Sequence, residues 1–335
     1  MNIDSFYMNY VYKYTAGHVF FTVQLYALQK KRGLVVRILN FGSLNYDFVY
    51  TVEHIVQSGE TASADKIETF CGGKGLNQSV ALARAGAEVF HAGLVGEDGG
   101  ALLDMLRGCG VDCTAVRNLP GKSGHAVIQL DARGQNAIFL YGGSNRCVTE
   151  AFIDEVLSDF GASDLLLLQN EINGVDLLIE KAYQKGLKIA FNPSPFDEAV
   201  KSCDLNKISI LFVNEIEGWQ ISGQKNPDGI LDYFAAHYKS TAVVLTLGQD
   251  GVCYADREKR LRHPIYPVKV ADTTGAGDTF TGFFLTALTG GETVEQALDI
   301  ASRASAIAVS RKGAAPSIPT MQQVWDFPRH PGISG

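Results

Sequence analysis

The sequence predicts a three-layer α/β fold with a mainly parallel central sheet and a small second β-sheet. Short apolar strands and helical segments alternate regularly over most of the chain, which is typical of a parallel sheet covered by helices on both faces. Two β-rich segments, near 46–70 and 120–143, interrupt that alternation and predict the small sheet. The chain has 335 residues, of which 46% are hydrophobic and 19% charged, so it can bury a large core.

The first half of the chain supplies the start of the central sheet and both insertions. Residues 35–42, VVRILNFG, are mostly apolar and end in glycine, and they predict a buried strand. A helix is expected at 75–85, because glycines precede it and Gly86 follows it. A strand at 88–96 and a short helix at 102–107 come next. Residues 126–131 and 136–141 predict a β-hairpin around a turn that contains Gly134.

The second half alternates more regularly. Helices are expected between its strands, for example over 174–184, and an apolar helix is expected over 281–288. The predicted strands are 164–169, 188–192, 210–213 and 242–247.

We divide the chain into one large domain, 37–320, with the two insertions as lid segments, and a C-terminal tail, 321–335. Residues 1–36 are rich in aromatic side chains and differ from the rest, so we interpret them as an extension outside the fold. Within them, 15–28 are too short and too polar for a membrane span, although a membrane-surface helix is an alternative. The basic run follows this stretch, unlike the order in a signal peptide.

Composition excludes several functional classes. The net charge of −7 argues against a nucleic-acid partner, because phosphate-backbone binding needs a basic face. No membrane association is expected, and we predict a cytoplasmic protein. The six cysteines are scattered without a CxxC pair, which predicts reduced thiols rather than disulfides or a zinc site.

The strongest functional signal is the segment 272–280, DTTGAGDTF, directly before an apolar helix. Gly275, Ala276 and Gly277 expose backbone N–H groups at a helix start, where a phosphate can approach the positive end of the helix dipole. Asp278 lies in the same turn, and its carboxylate can act as a proton acceptor. An anion hole beside a carboxylate is what phosphoryl transfer to an alcohol requires. A glycine turn with a capping aspartate is the structural alternative.

Three weaker signals accompany it. Residues 72–78, GGKGLNQ, form a glycine-rich helix entry in which Asn77 can contact hydroxyl groups, and they are not a Walker A loop. Asn45 and Asp47 follow the first strand and suit either sugar binding or an Asx turn. Asn214 and Glu217 follow a later strand and suit either Mg²⁺ binding through water or a helix cap.

In this order and spacing the motifs resemble the ribokinase-like family of carbohydrate kinases, of the pfkB type, from about Arg37 to Pro319. The resemblance implies a ribokinase-like fold and ATP-dependent transfer of the γ-phosphate to the 5-hydroxyl of D-ribose. Asp278 would be the base and Gly275, Ala276 and Gly277 the anion hole. The sugar would be held by Asn45, Asp47, Gly73, Lys74, Asn77, Glu171 and Asp278.

The same resemblance implies the cofactor sites. ATP would lie beside Asn214, Thr246, Gly248, Gly251, Gly277 and Ser302, and Mg²⁺ beside Glu217. A monovalent cation, K⁺, would be bound through Asp272, Thr274, Ala308, Arg311, Gly313 and Ser317. Ser302 stands where the family often has a histidine near adenine, so the adenine contacts depart from the family pattern. The lid implies a homodimer in which the lids of two subunits pair.

Other functions stay open at this stage. Within the same fold the acceptor could be fructose, deoxyribose, a ketodeoxy sugar acid or a nucleoside such as adenosine. A sensor of nucleotide or sugar without catalysis is a second class, and the presence of Asp278 argues against it. A nicotinamide dehydrogenase is rejected, because no G-x-G-x-x-G follows the first strand.

Overall fold

The computed structural model describes residues 35–328, and its main feature is a nine-stranded central sheet. Its strands are β1 Arg37–Phe41, β4 Glu88–Val95, β5 Val116–Asn118, β8 Leu165–Gln169, β9 Lys188–Asn192, β10 Ile210–Asn214, β11 Ala242–Thr246, β12 Val252–Ala255 and β13 Arg260–His263. Neighbouring strands from β11 through β10, β9, β8, β1 and β4 to β5 are parallel, and β12 and β13 complete one edge as an antiparallel pair.

Helices lie on both faces of this sheet. Successive residues of β1 and β8 alternate between two hydrophobic clusters, Ile38 with Leu165 in one and Leu39 with Leu166 in the other, as the twofold period of a strand requires. The predicted three-layer arrangement is therefore confirmed. The helices are α1 Lys74–Arg84, α2 Gly100–Gly108, α3 Glu150–Leu157, α4 Val175–Gln184, α5 Glu215–Ser222, α6 Pro227–His237, α7 Ala276–Thr289, α8 Val294–Val309 and α9 Met321–Asp326.

The two insertions form a separate four-stranded sheet, as the sequence predicts. Its order is β3-β2-β6-β7, and β2 and β6 are parallel whereas the other pairs are antiparallel. The predicted hairpin is present as β6 and β7. The bounds are β2 Asn45–Val52, β3 Lys66–Gly72, β6 Gly124–Asp131 and β7 Asn136–Tyr141.

The two ends of the chain can be compared with the predicted N-terminal extension and C-terminal tail. The first residues of the predicted C-terminal tail form α9, which packs against α8; the buried Arg303 guanidinium donates to the Val324 carbonyl at 2.7 Å. The predicted extension lies outside the described residues except for residues 35 and 36, and so do 329–335. No helix within 35–328 is both long and apolar enough to cross a bilayer.

Candidate active site

The N-terminal ends of α1 and α7 meet beside the carboxyl ends of the central strands, and polar side chains concentrate there. Asp278 lies in the first turn of α7 and is 6% exposed. Its carboxylate accepts hydrogen bonds from Asn77 Nδ2 at 3.1 Å and from Gln78 Nε2 at 2.9 Å, both on α1. The two strongest sequence motifs, 200 residues apart, are thus brought into direct contact.

Gly282, one turn further along α7, lets the two helices approach. A Cβ atom at Gly282 would lie 2.4 Å from the Ala81 Cβ and 2.8 Å from the Leu82 nitrogen, which no side chain tolerates. Because Asp278 and Gly282 are four residues apart, they lie on the same face of α7. The absence of a side chain at Gly282 therefore determines how closely Asp278 approaches Asn77 and Gln78.

The residues predicted to form an anion hole lie at the start of α7. Gly275 caps the helix at φ 74°, a left-handed conformation that favours glycine. The Ala276 N–H donates to the Thr273 carbonyl at 3.2 Å. The N–H groups of Gly277 and Asp278 belong to the first turn and have no acceptor four residues back within the helix. Gly277 is exposed, so an anion can reach this end of the helix dipole.

Lys74 and Glu171 lie next to this pair of helices. The Lys74 backbone N–H, at the start of α1, donates to Glu171 Oε2 at 2.8 Å, and the Ser43 hydroxyl donates to the same oxygen. Burial raises the pKa of Glu171, whereas the Lys74 charge and these hydrogen bonds oppose the rise. Burial likewise opposes the charge on Lys74, but Asp278, Glu171 and Glu217 together raise the pKa of its ammonium group.

Asn45 and Asp47 enter the site from the lid strand β2. The Asn45 side chain is fixed by Asn145, whose Nδ2 donates to Asn45 Oδ1 at 2.7 Å. Burial, together with the smaller effect of the nearby carboxylates of Glu171 and Asp278, raises the pKa of Asp47 to about 7. Within residues 35–328 the Asp47 carboxylate accepts no hydrogen bond, and Asn77 Oδ1 is buried without a partner. The two Asp47 oxygens and Asn77 Oδ1 are therefore left for donors that a ligand would bring.

The predicted nucleotide residues occupy neighbouring strand ends. Asn214 and Thr246 are register partners at the carboxyl ends of β10 and β11. Asn214 also caps α5: its Oδ1 accepts from the Glu217 N–H at 2.9 Å, and Glu217 Oε2 accepts from the Asn214 N–H at 3.1 Å. The helix-cap interpretation of this pair is therefore correct, which does not exclude a second contact to a ligand.

The other three nucleotide candidates lie on two further elements. Gly248 and Gly251 lie in the turn between β11 and β12, and a Cβ at Gly251 would meet the His263 carbonyl at 2.2 Å. Ser302 lies buried on α8, the helix that packs against α7.

The predicted cation residues lie on the loop before α7 and on the segment from the last turn of α8 to Ser317, and these two segments contact each other. Asp272 Oδ1 accepts from the Thr274 N–H and hydroxyl at 2.9 and 2.7 Å, and its Oδ2 accepts from the Gly313 N–H at 3.0 Å. Burial opposes ionisation here, but these hydrogen bonds and the nearby Lys312 lower the pKa of Asp272. The Ala308 carbonyl accepts from the Arg311 N–H at 3.0 Å, and the buried Ser317 hydroxyl donates to the Ala314 carbonyl at 2.7 Å.

Sequence patterns alone did not assign a role to Ser43, Gln78, Asn145 or Gln169. Gln78 lies in the motif 72–78 and Gln169 ends the predicted strand 164–169, so their positions were visible but their function was not. Asn145 lies just after the predicted hairpin and carries no local signal. Among the described residues no group of three or more His, Cys, Asp or Glu side chains forms a metal cluster.

Comparison with known proteins shows which family this chain is similar to. A model of the pfkB family carbohydrate kinases matches residues 36–321. Ribokinase of Haemophilus influenzae is 34% identical over 298 residues, which cover 86% of this chain and 97% of that protein. The structure of Arabidopsis thaliana ribokinase with ribose and ATP superposes with a TM-score of 0.79 at 31% identity, over 88% of this chain and 98% of that one. Ribokinase of Cryptococcus neoformans with ADP gives 0.76 at 31% identity, over 87% and 99%.

Proposed function

Because the chain belongs to the pfkB family of carbohydrate kinases, we propose that it transfers the γ-phosphate of ATP to the 5-hydroxyl of D-ribose. It is an ATP-dependent sugar phosphotransferase. The ribokinase relatives, one of them with ribose and ATP bound, support ribose as the acceptor. The observation that carries the mechanism is the buried Asp278 carboxylate, held by two amide donors at the start of α7.

On the acceptor side, ribose hydroxyls would donate to the oxygens that the protein leaves without partners. Asp47 and Asn77 Oδ1 are two acceptors of this kind, and Asn45 and Glu171 lie beside them in orientations fixed by Asn145, Ser43 and Lys74. The hydroxyl that faces Asp278 would lose its proton to that carboxylate. An aspartate is a weak base for an alcohol, but in a loose transition state the proton leaves late.

On the phosphate side, the transferred group would lie against the N–H groups of Gly277 and Asp278 at the positive end of α7. The Lys74 ammonium, whose pKa is raised by the surrounding carboxylates, adds a fixed positive charge. ATP would extend from there toward Asn214, Thr246 and the turn containing Gly248 and Gly251. This arrangement stabilises charge on the transferred phosphoryl oxygens without covalent chemistry by the protein.

Two cations fit the residues present. Mg²⁺ would lie near Asn214 and Glu217, bound through water, and would neutralise phosphate charge. K⁺ would lie between the loops of Asp272 and Gly313, where an ionised carboxylate and loop carbonyls supply the oxygen ligands of a hard cation. K⁺ would stabilise the loop that leads into the anion hole.

The direct test is ADP release from Mg-ATP with a panel of acceptors, each with and without K⁺. We expect ribose to give the highest kcat/KM and K⁺ to raise it. If another sugar or a nucleoside were preferred, the assignments of Asn45, Asp47 and Glu171 would move to that ligand. Folded protein that binds ATP but releases no ADP with any acceptor would refute the proposed function.

We also propose a homodimer formed through the lid. Strand β7 is the edge of the small sheet, and its Ile138, Phe139, Leu140 and Tyr141 are each more than half exposed. An edge strand with four consecutive exposed apolar side chains is prone to pair with another chain. Light scattering should give the mass of a dimer, and Phe139→Lys should reduce it to that of a monomer. A monomeric wild-type protein at micromolar concentration would contradict the proposal.

A further inference from the structure

A continuous chain of buried hydrogen bonds connects Asp278 to the middle of the central sheet. Gln78 Nε2 donates to Asp278 Oδ1 at 2.9 Å, and Gln169 Nε2 donates to Gln78 Oε1 at 2.7 Å. Gln169 Nε2 also donates to Asn40 Oδ1 at 2.9 Å. Asn40 Nδ2 in turn donates to Ser79 Oγ at 2.8 Å. Gln78, Gln169, Asn40 and Ser79 are each at most 1% exposed.

Gln169 determines which end of the Gln78 amide faces the base. Its Nε2 has two hydrogens, and it donates one to Asn40 and one to Gln78, so only an oxygen of Gln78 can face it. The Gln78 amino group is thereby turned toward Asp278. A rotation of this amide by 180° would place two amino groups against each other and a carbonyl oxygen against the carboxylate, which is costly in a buried site.

The far end of the chain is fixed by the sheet. Asn40 lies on β1 and Gln169 at the end of the adjacent parallel strand β8. Asn40 Nδ2 also donates to the Gly75 carbonyl at 2.7 Å, and the Ser79 hydroxyl lies 2.8 Å from His91 Nδ1. Burial lowers the pKa of His91 to about 4, so the imidazole is neutral and can accept from Ser79. The orientation of Gln169 therefore depends on strands in the rigid core.

We propose that Gln78 and Gln169 are positioning residues for Asp278: Gln169 orients Gln78, and Gln78 holds one oxygen of the base. The inference rests on the proposed function, because it requires Asp278 to accept the proton. A donor to a carboxylate stabilises its ionised form and fixes its direction. The charged groups that face Asp278 are Lys74 on α1, Glu171 after β8 and Asp47 on β2, and none of them contacts Gln78 directly.

A purely structural role makes a different prediction. Buried amides that are hydrogen-bonded only to one another stabilise the fold, and their loss lowers the unfolding temperature without affecting the pH dependence of turnover. A positioning role lowers kcat and moves the acid limb of the pH–rate profile to higher pH, because the ionised base loses a donor. The pH profile therefore separates the two roles.

The experiment compares Gln78→Met and Gln169→Met with the wild type, using ribose and Mg-ATP from pH 5 to 9. For Gln78→Met we expect kcat to fall roughly 10- to 100-fold with both KM values within about threefold, and the acid limb to rise by about half a pH unit or more. Gln169→Met should lower kcat and move the acid limb in the same directions but by smaller amounts, because it frees the Gln78 amide to rotate but leaves that amide in place. It also carries the test if Gln78→Met does not fold.

Two controls are matched to these variants. Gln184→Met removes an exposed glutamine whose amide, among the described residues, donates to Glu180 on α4, and it should leave activity unchanged. Ser79→Ala breaks the buried chain at its far end and should lower stability while the acid limb stays in place. If Gln78→Met and Ser79→Ala both lower stability and neither moves the limb, the positioning role is wrong. If Asp278→Asn retains turnover, the proposed base itself is wrong, and this outcome can be distinguished from failure of the positioning role alone.

Discussion

The Asp47 carboxylate is the least compensated acid in the site, and replacing it with asparagine should stabilise the ligand-free protein. Burial and two neighbouring carboxylates raise its pKa from 3.8 to about 7. A raised acid pKa means that the folded state holds the proton more tightly than the unfolded state. Stability therefore falls as pH rises from about 4 to about 7, and the full penalty is present above pH 7.

The size of the penalty follows from the two pKa values. A shift from 3.8 to about 7 corresponds to a ceiling of about 4 kcal/mol at pH 8 and about 2 kcal/mol at pH 5. The Asp47 side chain is only partly buried by surface area, and contact with water reduces these figures. For Asp47→Asn we expect a gain in unfolding free energy of about 1–2 kcal/mol at pH 8 and less than half of that at pH 5.

Urea denaturation of the ligand-free protein at both pH values measures this difference. Asp104→Asn is a matched control, because Asp104 is 81% exposed on α2; it should change the unfolding free energy by less than about 0.5 kcal/mol at either pH. A gain that is equal at both pH values, or a loss at pH 8, would refute the assignment of a buried, uncompensated acid. The same variant should raise the KM for ribose, since the amide replaces one of the two acceptor oxygens of the carboxylate with an NH₂ donor.

Three further predictions concern the base, the helix contact and the cation loops. Asp278→Asn should retain ATP binding, measured by calorimetry, while kcat falls by at least about 100-fold because the proton acceptor is lost; an unchanged kcat would exclude Asp278 as the base. Gly282→Ala should lower the melting temperature, because its Cβ would overlap Ala81, and should lower kcat more than it raises KM; a kcat equal to that of the wild type would show that the helix distance is not critical. Asp272→Asn should reduce the activation by K⁺ with little change in K⁺-free turnover; full K⁺ activation in this variant would show that the Asp272 loop is not the K⁺ site.

Most of the central fold could be predicted from the sequence, because buried parallel strands are short apolar runs that end in glycine or a polar residue. Strand β9 was predicted at its observed limits, and β1, β8, β10 and β11 within two residues at each end. The limits of α7 were less accurate: the helix begins at Ala276, not at 281. The apolar helical pattern was visible only from 281 onward, although the glycine-rich motif was expected at a helix start; Gly275 caps the helix in a left-handed conformation.

The candidate site was predicted in its residue types but not in its connections. Hydrogen bonds such as those from Gln78 to Asp278 and from Asn145 to Asn45 join residues 200 and 100 positions apart. No local pattern contains that information, because it arises only when α1 packs against α7 and the turn after β7 reaches the lid. The same limit applies to Asn214 and Glu217, whose spacing suits both a helix cap and a metal site until the cap geometry is seen.

The hydrogen bonds of the three site carboxylates indicate how their roles divide. Glu171 accepts from the Lys74 N–H and the Ser43 hydroxyl, and Asp278 accepts from two side-chain amides, so both are held in place before any ligand arrives. Asp47 accepts from no group within residues 35–328, and its pKa rises accordingly. A carboxylate that must bind a substrate hydroxyl gains most when its partner is missing in the free protein, whereas a base must already be fixed in direction. The difference in hydrogen bonding, with two donors to Asp278 and none to Asp47, therefore supports Asp47 as the acceptor for sugar hydroxyls and Asp278 as the base.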